Sequence, residues 1–145
     1  VNLRPPHTGW EIIHESLAAA HVIKVNDEEL KNITEQTDTA HPDQREAARR
    51  LYKCYSLDAL AVTKGADGAF LVTETGLFET GGIPVTVADT VGSGDAFFAG
   101  LIAGIVQEEP WQACLENANK RGAFVASNPG ATPQFPDILS FGKQN

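Results

Sequence analysis

Apolar residues recur along this chain with two periods, and the switches between them mark its elements. Trp10, Ile13, Leu17 and Ala20 are spaced for one face of a helix, and Thr8 and Glu11 stand at capping-box spacing with Thr8 as N-cap. Residues 21–25 carry Val22, Ile23 and Val25 and predict a short strand, followed by a short helix over 26–33. Pro42 opens a helix whose stripe is Ala47, Ala48, Leu51, Cys54 and Tyr55. Residues 59–63 form an apolar strand, and 69–73 and 77–80 flank Glu74-Thr75-Gly76 as a hairpin. Val85 and Val87 alternate with polar neighbours, which predicts a strand over 84–88. Residues 96–106 are almost wholly apolar and predict a buried central helix. Pro110 starts a last helix with Trp111, Cys114, Leu115, Ala118 and Val125 on one side; the tail after Asn128 is Pro-rich and irregular. Strands alternating with helices predict an α/β layered domain.

Composition narrows the class. The 145 residues suit one domain, and 42% of them are hydrophobic, enough for a packed core. Residues 96–106 are too few to span a bilayer, and the start lacks a charged-then-apolar leader, so a soluble cytoplasmic protein without a membrane partner is expected. The net charge is −8 and no Lys/Arg run occurs, which argues against nucleic acid as a partner. An acidic protein that binds polyphosphate needs a local device, such as the N–H groups of a helix N-terminus. Cys54 and Cys114 both fall on apolar stripes and are expected to be reduced core residues. His7, His14, His21 and His41 have no metal-ligand spacing. The chain has no methionine and opens on Val1-Asn2-Leu3, which reads like a strand end. A piece of a longer polypeptide is expected.

One stretch carries chemistry: Asp89-Thr90-Val91-Gly92-Ser93-Gly94-Asp95-Ala96-Phe97. Gly92 and Gly94 let the backbone turn tightly where a strand meets a helix, and their N–H groups, with that of Asp95, are placed to face an anion. Gly94, beside Asp95, is expected to be the tighter steric constraint. Glycines also make plain turns, and Asp is favourable at any helix start.

Residues 89–97, continuing to Gly100, resemble the C-terminal signature of ribokinase-like (PfkB) sugar kinases, D-T-x-G-[AS]-G-D-x-F. The resemblance implies a ribokinase-like, Rossmann-type layered sheet with flanking helices, of which this chain is the C-terminal, nucleotide-binding portion over residues 1–145. It implies that Gly92, Ser93 and Gly94 form an anion hole for the transferring phosphoryl group, with Asp95 as the base that deprotonates the sugar hydroxyl. Positioning and charge stabilisation dominate such transfers. Thr63-Lys64-Gly65-Ala66-Asp67-Gly68 resembles the family's T-x-G-x-x-G element along the nucleotide. Lys24-Val25-Asn26-Asp27-Glu28-Glu29 resembles its N-x-x-E element, which implies nucleotide contacts at Lys24 and Asn26 and a water-mediated hold on Mg²⁺ by Asn26 and Glu29. Those two residues equally suit a capping box. Asn2-Leu3-Arg4 resembles the end of a D-x-N-x-R string on the substrate and phosphate side. Asn119 takes the position of an adenine-side Asn. Asp89, Val91, Val125, Asn128, Gly130 and Gln134 align with a monovalent-cation loop, implying K⁺ held largely by carbonyls, although relatives often carry hydroxyl residues at positions 91 and 134.

The cofactors implied are ATP and Mg²⁺, with K⁺ in addition, and the partners are ATP and a small sugar. The substrate strings look most like fructokinases, with ribose and 2-keto-3-deoxygluconate open. Relatives are about twice this long and are often homodimers through a lid this chain lacks. The contrasting expectations are a non-catalytic nucleotide-binding module with no complete sugar site, and an α/β domain with decorative glycine turns.

Overall fold

A computed structural model describes residues 9–136. Its elements run α1 (Trp10–Ala19), β1 (Val22–Asn26), α2 (Asp27–Gln36), α3 (Gln44–Cys54), β2 (Ala59–Thr63), a 3-10 turn (Gly65–Asp67), β3 (Ala69–Thr73), β4 (Gly76–Thr80), α4 (Ser93–Val106) and α5 (Trp111–Ala126). The strands form one sheet in the order β1-β2-β3-β4. β1 and β2 are parallel, with Ile23 opposite Leu60 and Asn26 opposite Thr63. Only Glu74 and Thr75 join β3 to β4, a link that suits an antiparallel hairpin and makes the sheet mixed. The α/β architecture is the one the alternating periods predict.

The described residues divide into two compact units, 9–65 with 70–77, and 66–69 with 78–136. In the first, Ile13 and Leu17 of α1, Leu30 and Ile33 of α2, Ala48 and Leu51 of α3 and the strand residues Ile23, Val25, Leu60, Val62, Phe70 and Val72 make one core. The parallel register explains the set, because Ile23 and Val25 lie level with Leu60 and Val62 on the same side. Two local expectations shift. Gly9, not Thr8, is the N-cap of α1, and no side chain caps that helix. Asn26 ends β1 and caps α2, which moves the strand one residue later than the apolar run suggests. Cys54 is exposed, contrary to the core expectation, because it sits at the last turn of α3 beyond the buried Ala47, Ala48 and Leu51.

In the second unit, α4 and α5 pack along a narrow seam. Of the apolar residues in α4, Phe97, Gly100, Leu101 and Gly104 are buried, while Val106 is 76% exposed. The helix therefore buries one stripe at i, i+3, i+4 and i+7 rather than its whole circumference. A Cβ on Gly100 would stand 3.0 Å from the Ala118 Cα and one on Gly104 2.8 Å from the Cys114 Sγ, so glycine sets the close approach of α5. The expected strand over 84–88 is absent. Its alternating valines point outward, with Val87 59% exposed. The N–H groups of Ala88 and Asp89 donate to the Ala126 carbonyl at the end of α5 instead of to a strand ladder. Among the described residues, no helix is long and apolar enough to cross a membrane.

Candidate active site

The turn ahead of α4 is built from the inside. The Asp89 carboxylate accepts the Val91 N–H at 2.9 Å, and the Ser93 hydroxyl donates back to the Thr90 carbonyl at 2.8 Å. Gly92 is left-handed, φ 80°, and its carbonyl takes the first helical bond from Ala96 N at 2.9 Å. No side chain caps α4; the Ser93 N–H donates to the Thr90 carbonyl at 3.3 Å, and those of Gly94 and Asp95 have no intrahelical acceptor by geometry. Ser93, Gly94 and Asp95 occupy the first turn of α4, and the Asp95 side chain is solvent-exposed. The result is a polar, donor-rich turn with a carboxylate beside it, the combination an anion-transfer site requires. The strained residue is Gly92 rather than Gly94: Gly94 lies within helical backbone that any residue adopts.

The Lys64-to-Gly68 stretch resolves into its own geometry. Lys64 extends its ammonium over the Phe70 ring, 6.0 Å from the centroid. Gly65 and Gly68 are left-handed, φ 53° and 90°. Ala66, Asp67 and Gly68 pack on residues 80–82 so closely that a Cβ on Gly68 would fall 2.1 Å from the Thr80 carbonyl oxygen, and one on Gly82 would fall 1.6 Å from that of Ala66. Asn119 of α5 donates to the Gly81 carbonyl at 2.9 Å. Two sequence-predicted pieces, the Gly68 turn and Asn119, therefore meet within one unit, with the Gly81-Gly82 pair, which sequence reasoning did not single out, between them. That pair is a readable turn signal, but its tightness comes only from the approach of Ala66. Beside it, Ile83, Val85, Asn117, Lys120, Ala123, Phe124 and Ser127 line a cleft of about 470 Å³.

In the other unit, Asn26 and Thr63 are register partners at the carboxyl ends of parallel strands, the end where open α/β sheets hold ligands. Asn26 and Glu29 form a reciprocal capping box: Asn26 Oδ1 accepts the Glu29 N–H at 2.7 Å and Glu29 Oε2 accepts the Asn26 N–H at 2.9 Å. Glu29 is buried. One carboxylate beside an amide suits Mg²⁺ that keeps its waters and takes its remaining ligands from phosphate. Among the described residues, no group of three or more His, Cys, Asp or Glu side chains gathers to hold a metal directly.

The residues aligned with a cation loop sit as follows. The Val125 side chain is core, and its carbonyl accepts the Asn128 N–H at 3.0 Å. The Asn128 amide caps Phe124 O at 2.7 Å, Gly130 is left-handed with φ 84°, and Gln134 is exposed. Asn2 and Arg4 lie outside the described residues. Sequence reasoning missed Ala131, whose carbonyl would stand 2.5 Å from a Cβ on Gly92, and Ala126, which anchors Ala88 and Asp89. Alanines carry no chemical signal, so nothing local announces either.

The family described as pfkB family carbohydrate kinase matches residues 1–138. The aminoimidazole riboside kinase of Salmonella typhimurium is 34% identical over 137 residues, covering 90% of this chain and 41% of the relative. An ATP-dependent ribose-1-phosphate kinase of Halopiger xanaduensis is 39% identical over 119 residues, 81% of this chain and 36% of its own length. A fructokinase of Escherichia coli is 29% identical across 86% of this chain and 41% of its own length. Among solved structures, the Salmonella enterica aminoimidazole riboside kinase, complexed with aminoimidazole riboside and an ATP analogue, superposes with a TM-score of 0.76 at 32% identity over 96% of this chain and 49% of that one. The chain thus spans about two fifths of the length of these curated relatives.

Proposed function

Because the chain belongs to the pfkB family of carbohydrate kinases, we propose that it is the nucleotide-binding part of an enzyme that transfers the γ-phosphoryl group of ATP to a sugar hydroxyl. The observation that carries this reading is the uncapped start of α4, where left-handed Gly92 precedes Ser93, Gly94 and the exposed Asp95. Asp95 acts as general base on the acceptor hydroxyl. The N–H groups of Gly92, Gly94 and Asp95 take up charge developing on the phosphoryl oxygens. ATP lies along the turn of Gly65, Ala66, Asp67 and Gly68, with Thr63 and Lys64 at its approach. Its base occupies the cleft that Ile83, Val85 and Phe124 wall with apolar surface. Asn119 acts on that cleft indirectly by holding Gly81. Mg²⁺ neutralises the phosphates when bound, and Asn26 and Glu29 reach it through water. K⁺ at the loop of Asp89, Val91, Val125, Asn128, Gly130 and Gln134 is proposed as a companion of the anion hole.

Fructose is the first acceptor to test, with ribose and aminoimidazole riboside beside it, since similar kinases act on each of these sugar types or their phosphates. In an intact kinase carrying this chain, Asp95→Asn lowers kcat by roughly 10²–10⁴, the usual contribution of a general base, and leaves ATP affinity nearly unchanged. Near-normal turnover of that variant overturns the assignment.

A further inference from the structure

The catalytic turn does not hold itself. Residues 88–93 are contacted by α5 and the segment after it at three successive points. The Ala126 carbonyl accepts the N–H groups of Ala88 at 2.9 Å and Asp89 at 3.3 Å. Ala131 closes on Gly92, with its carbonyl oxygen 2.5 Å and its Cβ 2.9 Å from where a Gly92 side chain would start. The third point is Gly122: a Cβ there would stand 3.2 Å from the Ser93 carbonyl oxygen and 3.3 Å from the Phe97 Cβ. Gly122 is on α5, far from Asp95 in sequence, and carries no polar side chain.

We propose that Gly122 is a positioning residue for phosphoryl transfer, its missing side chain letting α5 seat the first turn of α4 where the anion hole must stand. This rests on the kinase reading above. Hydrogen bonds from the anion hole weaken steeply with misplacement, and a shift of even a fraction of an ångström at Ser93 moves the Gly94 and Asp95 N–H donors with it, because all three residues share one helical turn. A Cβ at 122 meets backbone, which cannot rotate aside as a long side chain does. The effect is graded, since a methyl at 3.2 Å asks for a few tenths of an ångström and a branched side chain asks for far more.

Gly104 supplies the control. A Cβ there would stand 2.8 Å from the Cys114 Sγ, so Gly104→Ala strains the same helix pair. It does so eleven residues along α4 from Ser93, roughly 16 Å away at 1.5 Å per residue.

The test measures affinity of this chain for a non-hydrolysable ATP analogue and for ADP, both with Mg²⁺, alongside the melting temperature. The γ-phosphate reports on the anion hole and ADP does not. The wild-type chain should favour the analogue by about tenfold or more, the scale of one charge-assisted hydrogen bond. Gly122→Ala should reduce that preference about threefold, and Gly122→Val should erase it while ADP affinity is kept. Gly104→Ala should melt earlier and keep the full preference. If Gly122→Val does not fold, Gly122→Ala and Gly122→Ser against Gly104→Ala decide. A preserved preference in the Gly122 variants overturns this inference alone. An equal loss in Gly104→Ala also overturns it, as an effect of stability only. Equal binding of the two nucleotides by the wild-type chain overturns the anion hole itself and this inference with it.

Discussion

At the scale of single residues, two glycines two positions apart behave differently. Gly92 is left-handed and faces Ala131 at a distance no Cβ tolerates, whereas Gly94 lies in helical backbone. Gly92→Ala therefore costs stability on the order of 1–3 kcal/mol through backbone strain, before any clash with Ala131 is counted. Gly94→Ala stays close to wild type in stability, and its effect falls on kcat, where a Cβ crowds the phosphate. Chemical denaturation of both variants, paired with turnover in an intact kinase, checks the separation; equal stability losses refute it. The two cysteines also divide. Burial, and then the negative charge of Glu109, push the Cys114 thiol up, and its Sγ donates to the Glu109 carbonyl at 3.3 Å. A group whose pKa is raised on folding contributes stability that is present below its unfolded value, about 8.5, and is lost as pH rises beyond it. At pH 8 a thiol reagent should titrate Cys54 alone in the folded chain and both cysteines after unfolding. Stability should decline above about pH 8.5 less steeply in Cys114→Ala. Two rapidly reacting thiols in the native chain count against this packing.

At the scale of elements, the capping box on α2 shows one pair of residues suited to two tasks. Asn26 and Glu29 satisfy each other's backbone N–H groups, which explains their presence without any ligand. They also stand at the carboxyl end of β1, where the proposed Mg²⁺ would lie. Glu29→Gln separates the tasks, because a side-chain amide still offers an oxygen to the Asn26 N–H but carries no charge. Stability should change by less than about 1 kcal/mol, within the worth of one cap. In an intact kinase the Mg²⁺ concentration for half-maximal rate should rise severalfold. A lower melting temperature with unchanged Mg²⁺ dependence leaves Glu29 as a cap and nothing more. The same scale explains residues 84–88. Alternating valines are a strand signal only when a neighbouring backbone receives their N–H groups, and here Ala88 turns to the end of α5.

At the scale of the whole molecule, the chain covers about two fifths of the length of its relatives. We expect it to bind MgATP without consuming it in the presence of fructose, ribose or aminoimidazole riboside. Orienting an acceptor hydroxyl in line with the γ-phosphate is worth up to about 7–11 kcal/mol of barrier, and Asp95 with Asn2 and Arg4 alone would not fix a sugar ring. Saturating MgATP at a hundred times its Kd should stabilise the fold by about 2.7 kcal/mol, seen as a raised melting temperature. No shift with any adenine nucleotide speaks against nucleotide binding. Sugar-dependent ATP consumption by the purified chain speaks against the division of labour drawn here.

Apart from the strand expected over 84–88, the order of elements, the hairpin of β3 and β4, the turn at Gly92, the capping box and the kinase signature were legible in the sequence by itself. Each depends on residues within a few positions of one another: a period, a cap, a pair of glycines, a carboxylate at a helix start. Tertiary structure alone decided the rest. It chose which stripe of α4 is buried, left Cys54 in solvent, kept residues 84–88 out of the sheet, turned Asn119 onto Gly81, and pressed Ala131 and Gly122 against the turn that opens α4. Those outcomes depend on contacts between residues tens of positions apart, and several are made by alanine or glycine, whose small size matters only once a neighbour arrives.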